Sequence, residues 1–402
     1  MTTTATQRRP RVAIIATTWF TDAHADVIGT RLVQGYSWAG HRIDPRVEVA
    51  SVYVEQLGAH AGERLRPDIA VELTDRHGVP RYPSVAEAIG LGRGGVNVDG
   101  VVIIGEHGDY EENEFGQKLY PRRRLFDAVV ATMIGAGRTV PVFTDKHLAW
   151  SFADAHAMYE VARRHAIPLL AGSSVPLAWR EPTGSEWPLG APMTDAVGVC
   201  YGSTEAYGFH SLEGIQVFAE RRAGGESGVR SVRTLTGAAA ASALTDGTVD
   251  AELFERALAT LQVDPRSAEE ARRAPQAVFL IEYLDGLRAA SVNCQDAVAG
   301  FATAARGPAD EAAAQLWLQD GPEYGHFIFL VRQIESMMLA RRTPYPVERT
   351  LLTTGILAAA MRSLRGGARL DTPELAISYQ PTAHVPDTGV QLPVPGAPAG
   401  GR

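Results

Sequence analysis

Three polar sets in this chain stand where strands end or a helix begins. The run TVPVFT (139–144) leads into Asp145, Lys146 and His147, just ahead of a helical stretch. A lysine there can act as acid, base or anchor toward a hydroxyl or carbonyl group. The run VDGVVIIG (98–105) leads into GEHGDYEENEFGQKLYPRRRLF (105–126). His107 and Asp109 fall at the strand end and are expected to face a cleft as catalytic groups, with Glu106 and Tyr110 beside them. Glu111, Glu112 and Glu114 read as a solvated surface. Arg122, Arg123 and Arg124 are placed to hold a carboxylate or to neutralise these acids. The third set is YGFHSLEG (207–214), where His210 opens a predicted helix with Glu213 three residues on. Trp179 and the loop DGPEYGHF (320–327), through Glu323, Tyr324 or His326, are further candidates for lining a substrate pocket. His24 reads as packing or capping at the start of the first helix.

The elements that must position these residues change character along the chain. From Val12 to Pro176 short apolar strands (12–15, 47–55, 98–105, 139–144, 167–172) alternate with helical stretches such as 84–91 and 153–165. That alternation predicts a parallel, doubly wound sheet covered on both faces. After about Pro182 the runs 197–202, 229–237, 277–286 and 287–295 read as longer strands, with Asp285-Gly286 as a hairpin turn. They predict a second unit with a large, mostly antiparallel sheet. Helices over 326–340 and 347–365 close the chain. The expected organisation is an α/β Rossmann-like domain over 11–178 and an α+β domain over 179–383. Residues 1–10 and the Pro/Gly-rich tail 384–402 are expected to lack structure.

The first strand runs into a turn, RVAIIATTWFTDAH (11–24). In a dinucleotide-binding βαβ unit this turn is glycine-rich, so that backbone can approach the pyrophosphate. Here the three glycine places hold Ala16, Thr18 and Thr21. If NAD(P) binds, Thr17, Thr18 and Thr21 must hold phosphate through hydroxyls and the helix N-terminus. Glu55, ending the second strand, would then grip the ribose.

Composition excludes several classes. The 402 residues carry a net charge of −8 and no basic run longer than Arg122–Arg124, so no footprint for nucleic acid is present. No apolar run reaches the length of a membrane span, and the N-terminus lacks the apolar core of a secretory signal. Cys200 and Cys294 lie in apparent strands and read as buried free thiols. A cytoplasmic protein is the expectation.

The segment VPVFTDKHLAWSFADAHAMYEVARRHAIPLLAGSSVP (140–176) resembles the Gfo/Idh/MocA oxidoreductases, in which a strand ends in Glu-Lys-Pro and the next strand leads into the second domain. RVAIIATTWFTDAHA aligns on that family's first strand and glycine turn, and VDGVVIIGEHGDY on the strand beside the nicotinamide. YGFHSLEG aligns on its Gly-x-His-x-x-Asp helix start. The C-terminal PYPVERTLLTTGILAAAMRSLRGGARL shares the family's look. The resemblance covers most of 11–370. It implies a substrate that is a sugar, cyclitol or related small molecule, NAD or NADP as cofactor, and acid–base chemistry by Lys146 and His210, with Glu213 on the family's acid. It also implies a homo-oligomer, dimer or tetramer, paired through the open face of the second sheet.

The departures are specific. The fingerprint glycines are absent, Glu-Lys-Pro has become Asp145-Lys146-His147, and the acid ahead of the histidine is Ala206 with Glu205 displaced by one. By the same alignment an insertion of about a dozen residues falls within 105–126, beginning at the carboxyl end of a parallel strand, where ligands bind in such sheets. If the alignment holds, His107, His147 and His210 with Asp109 or Glu213 converge on one cleft, a ligand set that suits a divalent metal. Three readings therefore stand open. One is an enzyme working by Lys146/His210 acid–base chemistry, with His107 and Asp109 orienting the substrate or an ion and His147 among the substrate contacts, without ordinary dinucleotide use. The second is an NAD(P)-dependent oxidoreductase with a degenerate turn. The third is a binding protein on the same scaffold.

Overall fold

The computed structural model describes residues 8–38, 41–58, 66–319 and 324–382. The tail 384–402, residues 1–7 and Glu323 lie outside the described residues. Structure begins earlier than the sequence suggests: Arg8 pairs with Asp99 (2.8 Å), and the Pro10 carbonyl accepts from the Glu48 amide (2.9 Å).

The first sheet is parallel throughout. Its strands are β1 (Arg11–Ala16), β2 (Glu48–Val54), β3 (Gly100–Ile104), β4 (Val142–Asp145) and β5 (Leu169–Gly172), in the order β2-β1-β3-β4-β5. They are apolar on both sides because both sides are covered. Alternate residues of β1 go to opposite cores, Ile14 to one and Ile15 to the other, as the two-residue strand period requires. A π-helical turn, Ala25–Thr30, and α1 (Arg31–Gln34) follow β1, while α2 (Ala70–Arg76) and α3 (Val85–Gly90) precede β3. α4 (Arg122–Gly135) and α5 (Phe152–Arg164) follow β3 and β4. The Ser151 hydroxyl caps α5 by accepting from the Asp154 amide (3.1 Å). The three arginines of the expected insertion thus form the first turn of α4 rather than a loop.

The second sheet has eight strands. They are β6 (Trp179–Glu181), β7 (Asp195–Cys200), β8 (Val229–Thr236), β9 (Ala277–Tyr283), β10 (Arg288–Asn293), β11 (Phe301–Arg306), β12 (Glu311–Trp317) and β13 (Leu370–Asp371). The order is β13-β8-β9-β10-β7-β11-β12-β6, and only the β10–β7 pair is parallel. The β9–β10 hairpin turns at Asp285-Gly286, where Gly286 adopts φ 97°, as the sequence indicates. Cys200 and Cys294 are buried and unpaired.

One face of this sheet packs on α6 (Ala206–Ala219). The other face is not open. α7 (Gly237–Ala243), α8 (Ala251–Thr260) and α9 (Pro265–Arg273) cover it, burying Leu253, Phe254 and Leu258 against Val197, Val199, Val278 and Val292. The surface that the resemblance assigns to a partner subunit is therefore occupied by the chain itself. The two closing helices, α10 (His326–Ala340) and α11 (Glu348–Leu364), tie the units together. α10 returns to the parallel sheet, where Val331, Ile334 and Met338 join the core of β1 and β3. Val347, just ahead of α11, and Leu351 within it join the core behind α5, and Ile356 and Leu357 pack with α6.

If α8 is an integral cover, Phe254→Ala should destabilise the protein by about 3–5 kcal/mol in urea denaturation, the cost of a large cavity in a packed core. A change below about 1 kcal/mol would show that the helix lies only loosely on the sheet.

Candidate active site

A cleft of about 410 Å³ opens at the carboxyl ends of the parallel strands. β1 has β2 on one side and β3 on the other, so the chain direction switches there, the usual ligand crevice of an open α/β sheet. Asp22 and His24 enter it after β1, Glu106 and His107 after β3, Lys146 after β4 and Ser173 after β5. The second unit contributes Tyr207 and His210 from α6 and Phe301 from β11, and Tyr324, His326 and Phe327 close the far side. Among the described residues nine non-glycine residues have positive φ, and four of them line this cleft: Asp22 (66°), His107 (69°), Lys146 (63°) and Tyr324 (37°). Left-handed backbone at a side chain costs about 1–3 kcal/mol and collects where function requires it.

At the floor lies a buried charge cluster. Glu106 accepts from Lys146 Nζ through Oε1 (2.9 Å) and from the Arg122 guanidinium through Oε2. Arg122 is wholly buried, and its second Nη donates to His147 Nε2 (3.1 Å). Burial by itself would raise the Glu106 carboxyl. The Lys146 ammonium and the Arg122 guanidinium outweigh it and hold the carboxyl well below the usual range. His147 is pushed far down by burial and then by the Arg122 charge, so its ring is neutral.

Two histidines in the cleft are backed by buried carboxylates. His24 Nδ1 lies 2.6 Å from Asp145 Oδ2, and Asp145 has no exposure. His210 Nδ1 meets Glu213 Oε2 (3.2 Å) and Ser173 Oγ (3.1 Å). Glu213 is itself fixed by the Ser173 amide (2.9 Å) and hydroxyl. Gly172 makes room for this carboxylate: it adopts φ 118°, and a Cβ there would stand 3.1 Å from Glu213 Oε1. Burial lowers His210, opposed by the hydrogen bond to Glu213. His326 falls to about 3 through burial and the Arg31 charge.

The structure brings Lys146, His210, His107 and Glu106 together, with Arg122 beneath them and Tyr324 and His326 on the far side, but Asp109, Tyr110, Arg123 and Trp179 do not join them. Asp109 is exposed and engages Gln56 through its backbone (2.9 and 3.2 Å). Tyr110 turns away to Glu55 (2.8 Å). Arg123 pairs with Asp127 (2.7 Å) along the outer side of α4. Trp179 packs between Trp317 and Phe329 (4.9 and 5.0 Å between centroids). Glu213 supports His210 from behind. The expected metal set His107, His147, His210 and Glu213 is not assembled. Among the described residues no three His, Cys, Asp or Glu side chains are placed to hold an ion, since His147 faces a guanidinium and Glu213 is spent on Ser173 and His210. His147 instead lines a second chamber of about 380 Å³ on the other side of Lys146 and Glu106, together with Glu205. Burial raises the Glu205 carboxyl to about 7, against the hydrogen bond it accepts from the Lys118 amide. His24 is the main residue that sequence reasoning placed outside the site. Its signal was available in Asp145, an acid at a strand end beside Lys146, but the pairing spans 121 residues.

The residues expected to hold NAD(P) do not fit it. Thr17, Thr18 and Trp19 are fully buried. Thr17 spends its hydroxyl on the Glu106 carbonyl (2.8 Å) and its amide on Ile104 (3.1 Å). Trp19 fills the gap between turn and helix so closely that a Cβ on Gly29 would lie 2.7 Å from its ring. Thr21 is exposed, with its carbonyl bound by Arg66 (2.7 Å). The helix start carries Asp22 and Asp26, the Asp22 amide already donating to Asp26 (3.0 Å), so acids stand where a phosphate would sit. Glu55 is closed off by Tyr110 and by Arg124 (2.6 Å).

No protein-family model matches the sequence, and no curated protein matches it. Solved structures do share the fold. GenD2 from gentamicin A biosynthesis, solved in complex with NAD, is 16% identical with a TM-score of 0.56, covering 90% of this chain and 96% of its own. Myo-inositol 2-dehydrogenase from Lactobacillus plantarum is 13% identical with a TM-score of 0.54, covering 90% and 99%. Scyllo-inositol dehydrogenase from Lactobacillus casei, with bound NAD(H) and scyllo-inositol, is 11% identical with a TM-score of 0.54, covering 90% and 99%. At such identities the likeness is one of fold, and the fold is the one the resemblance in sequence leads one to expect.

The depressed Glu106 carboxyl stabilises the folded state above its ordinary value of 4.5, and that contribution is lost as pH falls through the lower folded value. Glu106→Gln should therefore lower stability at pH 7 by roughly 3–5 kcal/mol, leaving two buried cations uncompensated. It should also flatten the loss of stability below the ordinary carboxylate value. Denaturant melts of both proteins across acid pH check this; a variant as pH-sensitive as the parent would remove Glu106 from the account.

Proposed function

We propose that the chain is an enzyme acting on a hydroxylated or carbonyl small molecule of sugar or cyclitol type, by acid–base chemistry at Lys146 and His210. The observation that carries this reading is the convergence of these two side chains, one from each sheet's unit, on one cleft where Lys146 is held in a left-handed conformation. The cleft volume of about 410 Å³ suits a small polyol. Lys146 is anchored by Glu106 and presents an ammonium that can stabilise or protonate an oxygen on which charge develops. His210, with its Nδ1 engaged by Glu213 and its ring neutral through burial, is set to accept a proton. Neighbours of the same fold that act on inositols support the substrate class.

A second reading, an NAD(P)-dependent oxidoreductase, is favoured by the solved neighbours that hold NAD. Against it stand the buried turn and the engaged Glu55.

Calorimetric titration with NAD, NADH, NADP and NADPH separates the two. No submillimolar binding is expected, and a submillimolar Kd for any of the four would decide for the second reading. Lys146→Ala and His210→Ala should each lower turnover by roughly 100-fold or more while circular dichroism stays native. Loss of the fold in either variant would show that the side chain serves structure instead.

A further inference from the structure

The cleft holds a second imidazole built like His210, and the acid–base reading does not use it. His24 Nδ1 faces Asp145 Oδ2 at 2.6 Å, and Asp145 is wholly buried with its other oxygen unpartnered, so this carboxylate serves His24 alone. That leaves Nε2, which makes no hydrogen bond in the described structure, on a residue that lines the cleft. His107 and Phe327 meet the ring edge-on (5.4 and 5.6 Å between centroids) and fix its plane. A carboxylate behind Nδ1 sets the tautomer, orients the ring and stabilises the imidazolium that forms when Nε2 takes a proton. His24 enters from the β1 side and His210 from α6, with Lys146 lining the same cleft.

We propose that His24 and His210 are the two bases of a proton-transfer site, which makes the chain an epimerase or keto–hydroxy isomerase of a small polyol. This rests on the acid–base reading and names its reaction. One imidazole Nε2 takes the proton from a carbon beside a carbonyl. The C–H electron pair becomes the new C=C bond of an enediolate, and the carbonyl π pair moves to oxygen. The Lys146 ammonium, beside Arg122 and sharing one carboxylate with it, stabilises that oxygen. The other histidine, as imidazolium, returns a proton to the same carbon for epimerisation, or to the adjacent carbon for isomerisation as the enediolate's hydroxyl proton passes to its other oxygen. Nothing is oxidised or reduced overall, so no hydride acceptor enters the balance. Asp145 and Glu213 are positioning residues.

The test is deuterium wash-in without added nucleotide. The protein is incubated in D2O with D-fructose, L-sorbose or 2-keto-myo-inositol, and the proton beside the carbonyl is followed by NMR. Exchange above the buffer rate is expected for at least one probe. His24→Gln and His210→Gln should each reduce it by roughly 100-fold, and Asp145→Asn by at least roughly tenfold. Absence of exchange with all three probes, or parental exchange in His24→Gln, overturns the proposal. If a probe binds by calorimetry without exchange, the two-base site falls and the acid–base reading stands; dinucleotide-dependent turnover would sink both.

Discussion

Two cations, Lys146 and Arg122, share a single carboxylate, Glu106, largely buried at the floor of the cleft. Buried charge is tolerated only when it is compensated, so the surrounding chain has to bring these three groups together. Thr17 holds the Glu106 carbonyl at the end of β3. α4 must begin at Arg122, and β4 must be followed by a left-handed Lys146 whose amide reaches back to Gly172 (3.2 Å). His147 stays neutral, which avoids adding a third positive charge. The cluster carries one positive charge more than negative, and a cleft above such a floor favours any oxygen that becomes an anion during reaction.

The same construction accounts for the altered nucleotide end of the cleft. The chain between β3 and α4 passes over the β1 turn and the end of β2, where Gln56 binds the Asp109 backbone and Tyr110 and Arg124 engage Glu55. The space a phosphate-binding turn normally leaves open is filled from below by Trp19 and closed from above by this segment. In the second unit a comparable substitution occurs: α7, α8 and α9 cover the sheet face that related folds are expected to offer to another subunit. In both places residues of the chain itself fill the space.

Much of the fold was legible because burial leaves a periodic trace. All five parallel strands, the hairpin at Asp285-Gly286 and the two closing helices follow from apolar runs and turn residues. β11 and β12 were not legible, since FATAAR and EAAAQLW are rich in alanine, which has no strand preference. Nor was the return of α10 to the parallel sheet, because a helix's apolar stripe does not say which sheet it will meet.

For the site, local sequence determined which side chains stand at strand ends: Glu106, His107, Lys146 and, at a helix start, His210. It could do so because strand ends are marked by where hydrophobic runs stop. Tertiary structure alone decided what each one faces. Asp109 and Tyr110 turn outward though they follow the same strand end as His107, and Arg122 goes inside while Arg123 and Arg124 stay at the surface. The pairing of His24 with Asp145 and of His210 with Ser173 and Glu213 joins segments far apart in the chain. Distance and burial, which set the protonation and direction of these groups, exist only once the two sheets have packed.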